Sequence, residues 1–270
     1  MKIAVVNLSI LGDVSRAPEF DRGIALLAQH GIGAIDCASR RFTPTEMVAG
    51  LHEALDRDDV NLVLTYSGGS ALIQCLDKIA WDRVGSSGKL FAGHSDFTHF
   101  AWKAVERGVP CVYGLALEPF MRYWRTGDLL DTALRFFRTG SVDPLKPSQL
   151  RGSNVVDDWA NERIVGGHSF ISFVMAAESK IDLTNRVFFL EHHYNHVEDI
   201  DGLRYWFVAL GRMLERLPPK AILLGQSMVF DDHGHTLPVD TVNEFVCEQL
   251  AYLSTPIYYV DHFTTLIPLR

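Results

Sequence analysis

The sequence predicts an α/β protein, with an N-terminal domain on an open, mostly parallel sheet and a smaller C-terminal domain of mixed α+β type. Three observations carry this reading. Residues 1 to about 140 alternate short, continuously apolar runs with amphipathic stretches, the pattern of parallel strands covered on both faces. A breaker-rich stretch, Thr139 to Ser153 with Gly140, Pro144, Pro147 and Gly152, then interrupts that rhythm. Beyond it strands and helices still interleave, but in a different pattern. The division is placed at residues 1–145 and 146–270.

In the first domain the strand candidates are Ile3–Leu8, Ala34–Cys37, Val60–Tyr66, Leu90–Ala92 and Cys111–Tyr113. Helices are expected between them at Glu19–Gln29, Pro44–Leu55, Ala71–Ile79, Phe97–Arg107 and Pro119–Phe137. The second of these opens on Thr43-Pro44-Thr45-Glu46, a capping box with proline at the first helical position. In the second domain the expected strands are Asn154–Asp157, Arg163–Val165, Val187–Glu191, Ala221–Leu224 and Pro256–Val260. Helices are expected there near Phe170–Glu178, Gly202–Leu217 and Val239–Leu253.

Composition narrows the function. A net charge of −8 with no basic run argues against a nucleic-acid binder. The longest apolar stretches are of strand length, so no membrane span is expected. The N-terminus enters a strand directly, without the layout of a secretion signal. Cys37, Cys75, Cys111 and Cys247 lie far apart in mostly apolar contexts, which suits reduced thiols in a cytoplasmic protein.

The chemistry centres on Gly93-His94-Ser95-Asp96-Phe97-Thr98. A serine there follows an apolar strand and precedes a helical pattern, the layout that lifts a hydroxyl out of a sheet beside a helix N-terminus. A second turn, Tyr66-Ser67-Gly68-Gly69-Ser70, also follows a strand, and in a parallel sheet both turns open at the carboxyl ends. The N–H groups of Gly69 and Asp96 are the candidate oxyanion donors. A base and its orienter are sought among eleven histidines. Phe188-Phe189-Leu190-Glu191 is an apolar strand ending in a carboxylate, and Ile257 to His262 an apolar strand ending in a histidine. A carboxylate at one strand end would fix the tautomer of an imidazole at the other. His192, His193, His196 and Glu198, with Asp231, Asp232, His233 and His235, form an alternative metal cluster, but without a recognised ligand spacing.

These segments together resemble the serine LD-carboxypeptidases (muramoyltetrapeptide carboxypeptidases). Gly93 to Thr98 is similar to their nucleophile motif. Ser67-Gly68-Gly69, with Cys75-Leu76-Asp77 and Trp81 downstream, resembles their Arg-Gly-Gly-Tyr-Gly turn and Leu-Asp-Trp. Val165-Gly166-Gly167-His168 resembles their Gly-Gly-Asn, Phe188 to Glu191 their strand ending in the triad glutamate, and Pro256 to His262 with Leu266 to Leu269 their triad histidine and terminal Leu-Pro-Leu. The resemblance implies Ser95 as nucleophile, His262 as base then acid, and Glu191 as orienter, with Gly68, Ser67 and His168 at the substrate. It implies a homodimer without metal or organic cofactor, cleaving the L,D-peptide bond of cytoplasmic murein tetrapeptide to free D-alanine for cell-wall recycling.

Three departures stand out. Ser67 replaces the family's arginine and Ser70-Ala71 its Tyr-Gly; His168 replaces its asparagine; the segment around His262 is about two residues short. Arg122, Arg125 and Lys103 are possible helpers at the substrate carboxylate. Two rival readings remain: a microcin-immunity-type peptidase acting on peptidyl or aminoacyl nucleotides, and a non-catalytic ligand-binding α/β module. Trp81, Trp102, Trp124, Trp159 and Trp206 fall in element-like stretches suited to core packing.

Overall fold

The computed structural model describes residues 2–11, 18–38, 41–124, 126–153, 155–193, 200–228 and 237–270. Contacts divide the chain into two units, Met1–Asp143 with Leu266–Arg270, and Pro144–Thr265. In chain order the first unit contains β1 (Lys2–Val6), α1 (Pro18–Gln29), β2 (Gly33–Asp36), α2 (Pro44–Leu55), β3 (Leu62–Thr65), α3 (Trp81–Ser86), β4 (Leu90–Gly93), α4 (Thr98–Val105), β5 (Cys111–Tyr113), α5 (Leu117–Tyr123) and α6 (Gly127–Thr139). The second contains β6 (Ser148–Arg151), β7 (Ile164–His168), α7 (Ser169–Glu178), β8 (Val187–His193), α8 (Ile200–Arg216), β9 (Ala221–Met228), α9 (Val239–Gln249) and β10 (Ile257–Tyr259). The chain closes on β11 (Ile267–Leu269) in the first unit.

The first unit is a six-stranded sheet in the order β11-β5-β4-β3-β1-β2. All its pairings are parallel except β11 on β5. Ile3 to Val6 and Leu62 to Leu64 have almost no exposure, which is why these runs are continuously apolar. The capping box of α2 forms as the sequence spells it: Thr43 Oγ1 accepts from Glu46 N–H at 3.3 Å and Glu46 Oε2 accepts from Thr43 N–H at 3.0 Å. On one side α5 and α6 bury Phe120, Trp124, Phe136 and Phe137 with α1. Gly23 permits this approach, because a Cβ there would lie 2.7 Å from Leu117 Cδ1.

The second unit is a five-stranded sheet in the order β6-β10-β9-β8-β7. Only β6 runs antiparallel to its neighbour. Its centre is again apolar throughout, with Phe188, Phe189, Ile222, Leu223 and Ile257 fully buried.

Several expectations need correction. The helix expected at Ala71–Ile79 is two short 3-10 turns, Leu72–Gln74 and Leu76–Lys78, because Leu72 N–H is drawn to the Asp96 carboxylate. The long helix Pro119–Phe137 is two helices, since Thr126, extended at φ −142° and ψ 153°, interrupts the helical backbone and α6 starts afresh after it. Of the strand expected at Asn154–Asp157, the described residues form none; β6 pairs with β10 instead, from inside the stretch read as a linker. The last five residues return to the first unit, although everything after 146 was assigned to the second.

His52 Nε2 accepts from Ala80 N–H at 3.1 Å, joining the end of α2 to the start of α3. Burial first, and then the Arg83 charge, lower its pKa below the ordinary 6.5. As pH falls through about 6.5 the unfolded chain therefore takes up a proton that the folded chain resists, and stability drops. Denaturant midpoints measured at pH 7.5 and 5.5 should fall further in the wild type than in His52→Gln.

Candidate active site

The first cluster grows from the carboxyl end of β4. Gly93 must lack a side chain: a Cβ there would lie 2.2 Å from the Phe97 ring, which folds back over the strand end. His94 is extended at φ −146°, and Ser95 then turns to φ +57°, the one left-handed non-glycine among the described residues. A 3-10 turn, Ser95–Phe97, leads directly into α4. Both sides of Ser95 are anchored. Its N–H donates to Tyr113 Oη at 2.8 Å, and its carbonyl accepts from Thr98 Oγ1 at 2.6 Å.

The Gly68-Gly69 turn packs against this elbow. A Cβ on Gly68 would lie 2.7 Å from Ser95 Cβ and 3.2 Å from its Oγ, so only glycine allows the contact. Gly69, at φ +156°, lies with its Cα hydrogen against Ser9 O, where a Cβ would come within 2.1 Å. Ser9 O also accepts from Ser70 and Ala71 N–H at 3.0 and 3.1 Å. Asp96, 2% exposed, holds the turn from the other side by accepting Leu72 N–H at 2.9 Å. The Gly-Gly turn is thus held from two sides against a serine in a left-handed conformation.

Ser67 points elsewhere: its Oγ donates to Glu118 Oε2 at 3.2 Å, and Glu118 pairs with Arg122. Arg122 also lines an open cleft of about 220 Å³ with Glu19, Arg22 and Met121. Tyr66, beside this group, is pushed up to about 12 by burial and then by Glu19 and Glu118. Lys103 pairs with Glu106, and Arg125 lies outside the described residues.

The second cluster lies at the carboxyl ends of the other sheet. The β8–β9 register shifts between Leu190 and His192, and Glu191, fully buried, stands at that irregularity. His168 is its direct register partner on β7. Gly166 lets β7 approach β8, since a Cβ there would lie 1.9 Å from Phe189 O. After β10, the Asp261 carboxylate accepts Phe263 N–H at 3.0 Å, forming a turn that sends His262 inward to 1% exposure. His262 Nε2 lies 3.6 Å from Glu191 Oε2, and His262 Nδ1 accepts Gln226 N–H at 2.9 Å. That bond assigns the proton of the neutral ring to Nε2, facing the carboxylate.

The structure therefore brings Glu191, His262 and His168 together in one unit, and Ser95, Asp96, Gly68 and Gly69 in the other. Ser67 is turned toward Glu118. Sequence reasoning missed Tyr113, Gly225 and Gln226, which carry no motif; only the need of a buried tyrosine hydroxyl for a partner signalled the first. Of the alternative metal cluster, His196, Glu198, Asp231, Asp232, His233 and His235 lie outside the described residues, as does the side chain of His193. His192 is buried with Nδ1 2.6 Å from Ser169 Oγ.

Residues 3–114 match the family model of the LD-carboxypeptidase N-terminal domain. The structure is similar to the muramoyltetrapeptide carboxypeptidase of Oxalobacter formigenes, with a TM-score of 0.74 at 21% identity, covering 100% of this chain and 92% of that one. The fold is that of the LD-carboxypeptidases. It is equally similar to the microcin C7 self-immunity protein MccF, solved as a mutant with adenosine monophosphate: TM-score 0.75, 18% identity, 99% and 90% coverage. An MccF-like protein from Streptococcus pneumoniae, solved with AMP, gives 0.71 and 18%, covering 99% of this chain and 94% of that one. No curated protein sequence matches the chain. The match of residues 3–114 contains both turns of the first cluster.

Gly225 backs the Glu191–His262 pair: a Cβ there would lie 2.8 Å from His262 Nδ1 and 3.0 Å from Glu191 Cβ. Gly225→Ala should therefore displace the imidazole from Gln226, destabilising the fold by about 1–3 kcal/mol. The check is a denaturation midpoint together with the imidazole resonances of His262, which should shift.

Proposed function

We propose that this protein is a serine peptidase that hydrolyses the L,D-peptide bond of murein tetrapeptide and releases D-alanine. The observation that carries the reading is Ser95: a left-handed serine between a parallel strand and a helix, packed on a Gly-Gly turn. Such backbone strain persists only where the surroundings enforce it, and it gathers at reacting groups. The sequence match over residues 3–114 supports the peptidase class.

In this mechanism Ser95 Oγ attacks the carbonyl carbon before the D-residue, and His262 takes the hydroxyl proton. Negative charge on the carbonyl oxygen is received by the N–H groups of Asp96 and Gly69. Collapse breaks the C–N bond, His262 returns the proton to the leaving amine, and D-alanine departs. Water, deprotonated by the same imidazole, then attacks the acyl carbon, and the imidazolium returns that proton to Ser95 Oγ as the ester bond breaks. Glu191 keeps the imidazole oriented and stabilises its charged form. In the state observed, the acceptor nitrogen of His262 is engaged by Gln226 N–H, so it has to leave that bond before it can take a proton.

A second reading keeps the chemistry and changes the substrate. The similarity to MccF, solved with adenosine monophosphate, favours an aminoacyl or peptidyl nucleotide. A mass-spectrometric panel of L,D-peptides, D,D-peptides and aminoacyl nucleotides separates the two.

Ser95→Ala should lower D-alanine release by at least about 1000-fold while the melting temperature stays close to that of the wild type. A fluorophosphonate probe should label the wild type on Ser95 alone. Turnover retained in Ser95→Ala would overturn the assignment, and a wild type inert to probe and panel would favour the non-catalytic module. EDTA should leave turnover unchanged; loss with rescue by zinc would return the chemistry to a metal site.

A further inference from the structure

We infer that Tyr113 is a positioning residue for the nucleophile, its hydroxyl holding Ser95 in the left-handed conformation that presents Oγ. The inference rests on the reading of Ser95 as nucleophile. A left-handed conformation at a residue with a Cβ is unfavourable by a factor of roughly 5 to 30 in population, so the elbow needs contacts that exist only in that conformation. Two are present, one on each peptide group flanking Ser95. The carbonyl side is held by Thr98 Oγ1, a local bond that any helix start could supply. The N–H side is held from another strand: Ser95 N–H donates to Tyr113 Oη at 2.8 Å.

The placement of Tyr113 leaves little freedom. It is the direct register partner of Gly93 on β5, and Gly114 N–H donates to Gly93 O at 3.0 Å immediately after it. Its side chain is fully buried, with its ring 5.7 Å from that of His94. The hydroxyl is therefore fixed by the sheet rather than by the turn that it serves. If the His94–Ser95 peptide rotated out of the left-handed state, its N–H would lose the acceptor that the buried Tyr113 side chain provides. The same rotation would swing Ser95 Cβ relative to Gly68, on which it packs.

The test compares wild type with Tyr113→Phe, and with 3,5-difluorotyrosine placed at position 113 through an orthogonal tRNA. While its more acidic hydroxyl stays protonated, which the absence of phenolate absorbance at the assay pH verifies, the fluorinated ring keeps the shape and is the weaker acceptor. For Tyr113→Phe, kcat on an L,D-tetrapeptide and the rate of fluorophosphonate labelling of Ser95 should both fall about 10-fold, with KM unchanged. The fluorinated protein should fall between, at an unchanged melting temperature. Amide hydrogen exchange at Ser95 should rise in the same order, while that of Phe91 and Ala92 on β4 should not change. Unaltered labelling and unaltered Ser95 exchange in both variants would overturn the inference while leaving the peptidase reading intact. If Tyr113→Phe fails to fold, the difluorotyrosine protein alone decides. A wild type that neither labels nor turns over would sink the nucleophile reading and this role with it. Ser95 exchange would then report only a structural bond.

Discussion

The left-handed turn at Ser95 is the constraint on which the first unit's site depends. A serine at φ +57° stands where a parallel strand ends and a 3-10 turn leads into a helix. The surrounding residues answer to that geometry. Gly93 vacates the space filled by the Phe97 ring, Gly68 allows contact with Ser95 Cβ, and Gly69 lies on Ser9 O. The Asp96 carboxylate then ties the Gly-Gly turn to the elbow through Leu72 N–H. Because these contacts join the ends of β1, β3 and β4, the geometry is a property of the sheet and not of one loop.

The second unit meets a different demand, a buried carboxylate. Removing a carboxylate from water is unfavourable by several kcal/mol unless charge and hydrogen bonds compensate, and Glu191 is fully buried. The structure places it at a shift in strand register with His262 Nε2 at 3.6 Å. The Asp261 turn brings His262 inward to meet it. Gly225 leaves the space that both side chains need, since a Cβ there would lie 2.8 Å from His262 Nδ1 and 3.0 Å from Glu191 Cβ.

Much of this was legible in the sequence, for identifiable reasons. Continuous apolar runs marked nearly every central strand because a parallel sheet buries both faces, and the capping box at Thr43 fixed the start of α2 to the residue. The serine turn was readable because strand, glycine, serine and helix are adjacent in the chain. What escaped were long-range contacts. The 3-10 turns at Leu72–Lys78 answer to Asp96, more than twenty residues away. The break before α6 rests on the extended backbone of Thr126, and β6 exists because β10 offers an antiparallel edge. Tyr113, Gln226 and Gly225 acquire roles only when sheets form.

Ser67 shows why a motif and its chemistry can separate. The glycines that follow it are required by sterics, since no side chain fits at either position against Ser95 or Ser9. Ser67 itself is under no such constraint. Its hydroxyl has turned to Glu118, which in turn holds Arg122 at the edge of an open cleft with Glu19 and Arg22. A guanidinium reached through a carboxylate is partly neutralised, and Glu118 raises the pKa of Arg122 further, so the cation is permanent but its field is weak. Sterics thus govern the two glycines, while charge pairing governs the serine beside them.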